Sequence, residues 1–291
     1  MNASKSTTTI MDCLPFAFCE SVIAALNSPS DGEKAFSSPV WQTAFNETLK
    51  NRVVACMEIH YRGGRWSYLL NGFPTFESLQ KVNTKYFRVS EIRLNNRRGG
   101  NQSSLEEILR TVKATVPYVS MSTLVLWKIG AFPRDGLLQL LSFYRHSSFR
   151  SLRTHGNLLS VCDILKELLV CSSLREVELW NANVSSSFQA EIEELALVKS
   201  FKRFWFEQQN SKLSWIFFEK LFAKPKNELL DNCNLCAHYD FDFDNLRDFK
   251  IDWQINAPGE ETIQWKREDQ VKVEIKKTWK GAFNLSFHLV C

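Results

Sequence analysis

At 291 residues the chain is long enough for one large domain and a small one, and a 44% hydrophobic content suits a globular protein with a substantial core. Its net charge of +4 comes from 36 basic and 32 acidic residues interspersed along the chain, which excludes the broad positive field that concentrates nucleic acid. No apolar run approaches the ~20 residues of a membrane span, and the N-terminus lacks the arrangement of a signal peptide, so the expected location is the cytoplasm, the nucleus or both. The eight cysteines are irregularly spaced among apolar neighbours, which fits reduced, buried thiols rather than a disulfide framework.

In chain order, residues 1–10, "MNASKSTTTI", are polar with nothing to bury and are expected to be disordered. Residues 11–52 form a helical segment. After Leu14-Pro15, apolar residues recur at helical spacing through Phe18, Val22, Ile23 and Leu26, until "NSPSDGEK" breaks the pattern. A second helix, "SSPVWQTAFNETLKNR" (37–52), opens with a Ser cap and Pro39 in its first turn, and it places Val40, Trp41, Ala44, Phe45 and Leu49 on one face. Next, "RVVACMEIHYRGGRWSYLL" alternates on both sides of Arg62-Gly63-Gly64-Arg65, the pattern of a hairpin whose paired glycines supply positive φ.

Residues 53–230 carry an internal repeat. The pattern apolar-x-x-apolar-x-apolar occurs at Val89/Ile92/Leu94, Met121/Leu124/Leu126, Phe149/Leu152/Thr154, Leu174/Val177/Leu179 and Phe201/Phe204/Phe206. Each copy is followed by a helical stretch: 103–116, opened by a Ser103-x-x-Glu106 capping box, then 135–145, 158–171, 186–199 and 212–223. One short strand and one helix per repeat is the leucine-rich-repeat pattern, in which parallel strands line an open face and helices cover the other. The asparagine that should bond the turn after each strand is present only as Asn157, so the repeats are irregular. The open-face positions are Glu91 and Arg93, Thr123 and Val125, Ser151 and Arg153, Glu176 and Glu178, Arg203 and Trp205, a mixed surface suited to protein contact. From 231 to 291 the chain alternates strictly, as in "VKVEIK" and "FNLSFHL", and reads as an antiparallel cap on the last repeat. The expected fold class is therefore α/β: an N-terminal helical segment, an irregular β/α solenoid and a β-rich C-terminal cap.

Catalytic patterns are sparse. Cys233-x-x-Cys236 with His238 is half of a zinc site without a second ligand pair. A thiol hydrolase built on Cys162 or Cys171 with His155 or His146 is an alternative, and it needs a Cys–His pair in an open cleft. Arg62-Gly63-Gly64-Arg65 and Arg98-Gly99-Gly100-Asn101 lack the residues of phosphate loops and read as turns. No catalytic residue, metal or cofactor is assigned.

With "MDCLPFAFCESVIAAL" followed by "SSPVWQTAFNETLKNR", the chain resembles the nematode-expanded family of F-box-like proteins. An F-box opens with Leu-Pro, continues in a helix with apolar residues at spacing four, and ends on a Trp. Leu14-Pro15, Phe18, Val22, Leu26 and Trp41 match those intervals, and a looser likeness extends over the repeats and "WKREDQVKVEIKKTW". The departure is "SPSDGEKAF", where Asp31 and Lys34 occupy positions expected to be apolar. The resemblance implies a substrate adaptor of a cullin-RING ubiquitin ligase. Leu14, Pro15, Phe18, Val22, Ile23, Leu26 and Trp41 would dock on the Skp-type adaptor, and Arg93, Val125, Arg153, Glu178, Arg203 and Trp205 would meet a target protein. The alternative is a protein-binding repeat module with no ligase connection, its N-terminal helices capping the repeats.

Overall fold

The computed structural model describes residues 16–25, 38–71, 73, 78, 81, 84–97, 99–171, 174–198, 203–207 and 212–223, with strands at 233–237, 254–258, 262–266, 271–277 and 283–289. Residues 1–10, Leu14, Pro15, Leu26 and Phe201 lie outside the described residues.

Helices α1 (Phe16–Ala25) and α2 (Pro39–Asn51) pack against each other around Cys19, Ile23, Trp41, Ala44 and Phe45, a small apolar cluster separate from the main core. Pro39 starts α2 because its fixed φ suits a first turn and its missing N–H forfeits no helical bond there. Ser38 holds the cap position with extended backbone, but its hydroxyl makes no capping bond, so the expected Ser cap is positional only. The helix pair is tied to the rest by the buried Glu20, whose carboxylate accepts hydrogen bonds from Lys85 Nζ and the Tyr86 hydroxyl.

The remainder is a mixed α/β fold on a thirteen-stranded sheet, counted among the described residues, whose long central run is parallel. Strands β1 (Val53–Arg62) and β2 (Arg65–Leu70) form the expected hairpin, with Gly63 and Gly64 at φ of 60° and 79°. β3 (Phe87–Asn95), β5 (Val119–Trp127), β6 (Ser148–Asn157), β7 (Glu176–Asn183), β8 (Arg203–Glu207) and β9 (Cys233–Ala237) continue from β1 as parallel neighbours. The two-residue β4 (Asn101–Gln102) lies on the outer edge of β2. β10 (Gln254–Pro258), β11 (Thr262–Lys266), β12 (Val271–Lys277) and β13 (Phe283–Leu289) are antiparallel and extend the sheet from β9. The C-terminal part thus continues the sheet sideways, and its first strand, β9, still belongs to the parallel run.

Helices α3 (Leu105–Thr115), α4 (Arg134–Phe143), α5 (Cys162–Cys171), α6 (Ser186–Val198) and α7 (Trp215–Phe222) connect successive parallel strands, and each touches the next. Strand–helix–strand crossovers between parallel neighbours are almost always right-handed, so five of them advancing in one direction lay their helices on one face. The strands answer with two inward rows in register. Met57, Ile92, Leu124, Leu152, Val177 and Phe204 form one, and Ile59, Leu94, Leu126, Thr154, Leu179 and Phe206 form the other. All twelve are buried, and the eleven apolar ones form a single core with Ile108, Val112, Leu140, Leu165, Phe188, Ile192, Phe217 and other helix residues.

Two local expectations fail for identifiable reasons. The cap of α3 is Ser104, whose hydroxyl accepts from Glu107 N at 3.1 Å, one residue beyond the expected Ser103–Glu106 box. Met121, expected as an inward strand position, sits at φ 52° in a bulge of β5. The bulge turns Ser122 inward to bond the Val89 carbonyl, and Val119 takes the core position opposite Val89.

Candidate functional site

With helices on one face, the other face of the parallel strands is left uncovered by the described elements, and its side chains stand in three rows. The first runs Cys56, Glu91, Thr123, Ser151, Glu176, Arg203, and the second Glu58, Arg93, Val125, Arg153, Glu178, Trp205. Every residue expected to meet a target therefore falls in the second row or next to it, with Arg203 opposite Glu176. Exposure differs along the rows: Arg153 and Arg203 are exposed, Arg93, Val125 and Trp205 are half-buried, and Glu178 is only 7% exposed.

Charges in these rows are paired both along and across strands. Arg93 bonds Glu91 and reaches Glu58 at 3.2 Å. Arg153 lies 3.7 Å from Glu176 and 3.6 Å from Glu178, and Arg203 lies 3.1 Å from the other oxygen of Glu178. Trp180 Nε1 also donates to Glu178, at 3.2 Å. One buried carboxylate thus receives two guanidinium groups and an indole, and it fixes the orientation of three neighbouring side chains.

The third row was not anticipated. It runs His60, Asn95, Trp127, His155, Trp180, one position beyond the last apolar residue of each repeat. Trp127 stacks on His155 with ring centres 4.4 Å apart, and Trp180 stacks on Trp205 at 4.5 Å. Trp127 is 40% exposed, so a large apolar surface remains open to contact. The residues after Trp127, His155 and Trp180 are Lys128, Gly156 and Asn181, and all three have positive φ, at 54°, 97° and 46°. The signal was present in the sequence: an aromatic ring directly follows the repeat pattern in three successive copies. With Arg93, Arg153, Glu178 and Arg97, the row from Asn95 to Trp180 lines a groove of about 750 Å³.

Asn157 caps the turn after β6, accepting from Leu159 N at 3.1 Å, as the sequence implied. On the N-terminal helices, Phe18 is 49% and Phe16 39% exposed, and Phe18 meets Trp41 edge-on at 6.4 Å. Val22 is half-buried, whereas Ile23 and Trp41 are buried between the two helices. Two of the expected docking residues are therefore internal supports of the helix pair.

The Cys–His pairings considered above are not assembled among the described side chains. Cys162 is buried in the core, donating to the Leu158 carbonyl at 3.4 Å, while His155 stands on the opposite face and His146 is exposed elsewhere. Cys56 does lie on the open face, but burial, aided by Glu91, pushes its thiol up to about 11. Cys233–Ala237 is a paired strand rather than the tight turn of a zinc knuckle. No group of three or more potential metal ligands occurs among the described residues, and no helix there is long and apolar enough to cross a membrane. Comparison with family models, with curated proteins and with solved structures gave no match in any of the three.

Proposed function

We propose that this chain is a non-enzymatic recruiting protein that binds a target protein on its open sheet face. We read the helix-covered parallel sheet as an irregular leucine-rich-repeat-like solenoid whose strands present that face. The observation that carries the reading is the aromatic row Trp127, His155, Trp180 with Trp205, framed by arginines and glutamates already fixed by one another. Rigid aromatic surface inside an oriented polar rim is the composition of a protein-contact centre, because binding it orders few further side chains.

The second part of the proposal is the ligase connection, which rests on the F-box-like resemblance. The exposed Phe16 and Phe18, with Leu14 and Pro15 before them, would dock on a Skp-type adaptor, while Ile23, Trp41 and Phe45 hold α1 against α2. Such a protein works in the cytoplasm or nucleus. A pull-down of the full chain with recombinant Skp adaptor tests it, beside the variants Phe16→Ala/Phe18→Ala and Leu14→Ala/Pro15→Ala. Retention by the intact chain and loss in both variants is expected; no retention at micromolar concentration overturns the ligase connection. The second reading, a recruiting module without a ligase, is favoured by Glu20, which ties α1 to the segment before β3 as a capping helix would be tied.

A further inference from the structure

We propose that the arginine-lined groove beside the β1–β2 hairpin receives an acidic, carboxylate-rich segment of the target protein, an inference that rests on the open face being the recruiting face. The groove measures about 680 Å³ and is lined by Arg62, Arg65 and Arg97 with Trp66, Ser67 and the backbone at Gly99 and Gly100. Among the described residues no carboxylate lines it.

This lack of acids sets it apart from the rows beside it, where Arg93, Arg153 and Arg203 each have a glutamate partner. Arg62 and Arg65 stand directly opposite each other at the ends of β1 and β2, both are exposed, and neither has an acidic partner among the described residues. Like charges placed opposite across two strands repel, and a bound anion relieves that repulsion. Arg97 reaches Glu58 only at 3.9 Å, and that carboxylate already serves Arg93 at 3.2 Å. Arg97 also lines the open-face groove, so the two grooves meet at its side chain. Exposed Lys128 continues the positive edge to Trp127.

The charges are spread along an edge rather than gathered on one point, which suits a run of carboxylates better than a single phosphate. A nucleic acid strand fits less well. The facing sides of Trp127 and His155, and of Trp180 and Trp205, are taken up by stacking on one another and cannot receive bases.

The test is fluorescence polarisation of the full chain with a labelled octaglutamate peptide, beside octalysine, a phosphoserine peptide of equal length and an oligothymidine strand. Octaglutamate is expected to bind best, and its affinity should fall about tenfold from low to physiological salt as charges are screened. Arg62→Gln/Arg65→Gln should weaken it at least about fivefold without lowering the thermal unfolding midpoint, since both side chains are exposed and their mutual repulsion is removed. Binding no tighter than octalysine, or unchanged in the double variant, overturns the proposal. Tighter binding of the phosphoserine peptide or of oligothymidine overturns the choice of carboxylates. The same double variant should retain the Skp-type adaptor, and Phe16→Ala/Phe18→Ala should retain octaglutamate, so the ligase connection and the acidic groove fail separately.

Discussion

Trp127 and His155, side by side on adjacent parallel strands, stack with their rings 4.4 Å apart, and each is followed by a residue in the left-handed region. Just beyond the aromatic row the left-handed residue ends β5, and in β6 and β7 it falls where their pairing shifts register before resuming at Asn157 and Asn183. Gly156 adopts this conformation freely and Asn181 tolerates it, but Lys128 carries a Cβ and a long side chain at φ 54°. Lys128→Gly should therefore stabilise the fold by about 1 kcal/mol, seen as a higher urea midpoint with unchanged slope. A lower midpoint would mean that the Lys128 side chain contributes more than its backbone costs.

Gly64 and Gly100 separate backbone strain from steric overlap. Both have positive φ, at 79° and 67°. A Cβ on Gly64 would meet open space, so Gly64→Ala should cost about 1 kcal/mol, from the left-handed conformation alone. A Cβ on Gly100 would overlap the Tyr68 carbonyl, and that backbone is held in the β2–β4 pairing. Gly100→Ala should cost about 3 kcal/mol or more, measured by chemical unfolding of both variants side by side. Equal losses would show that the loop at Gly100 gives way easily.

The Cys56 thiol, pushed up to about 11, should be almost wholly protonated at pH 8. Its alkylation by iodoacetamide at that pH should be roughly a hundredfold slower than that of a free cysteine, whose thiol titrates near 8.5. The rate should climb steadily up to about pH 11. Cys19 and Cys162 are buried and should react only on unfolding, so mass spectrometry of the labelled peptides reads the Cys56 rate directly. A plateau near pH 8 would contradict the burial that raises the thiol.

The inward rows of the sheet were legible because parallel strands in register repeat one two-residue alternation, and five copies of the same pattern cannot all arise from one chance run. That is why Ile92/Leu94, Leu124/Leu126, Leu152/Thr154, Val177/Leu179 and Phe204/Phe206 meet as expected. Met121 was misread because a bulge adds one residue without leaving a mark in hydrophobicity, and it moves the inward position to Ser122. β4, at two residues, is too short to carry any period. On the open face the first two rows follow from the alternation between the apolar positions, whereas the third lies one residue beyond the last apolar position, outside the pattern. Pairing of charge was not legible at all. Nothing local to Glu178 says that Arg153, Arg203 and Trp180, from three strands, converge on it.

Glu20 gives the last prediction, because it joins the helix pair to the sheet through Lys85 and Tyr86 rather than through the shared core. Those two hydrogen bonds, Lys85 first, hold the Glu20 carboxyl below its ordinary range against the opposing effect of burial. A carboxyl whose folded pKa is depressed contributes its full stabilisation above the unfolded value, near 4.3, and loses it as pH falls through the lower folded value. Acidification below about pH 4.3 should therefore loosen α1 and α2 while the strand core, whose inward rows carry no carboxylate, stays closed. His60 adds to acid sensitivity at the sheet, since burial lowers its pKa and its neutral form is favoured by folding; that contribution fades as pH drops below about 6.5. Hydrogen exchange resolves the two, with amides of α1 and α2 followed separately from those of β5 and β6 from pH 7 down to about pH 3, below the unfolded carboxyl value. Glu20→Gln should raise exchange in α1 and α2 already at pH 7 and remove their pH response, leaving β5 and β6 unchanged. Equal protection of α1 in the variant and the native chain would show that the apolar contacts of Ile23, Trp41 and Phe45 hold the helix pair in place without Glu20.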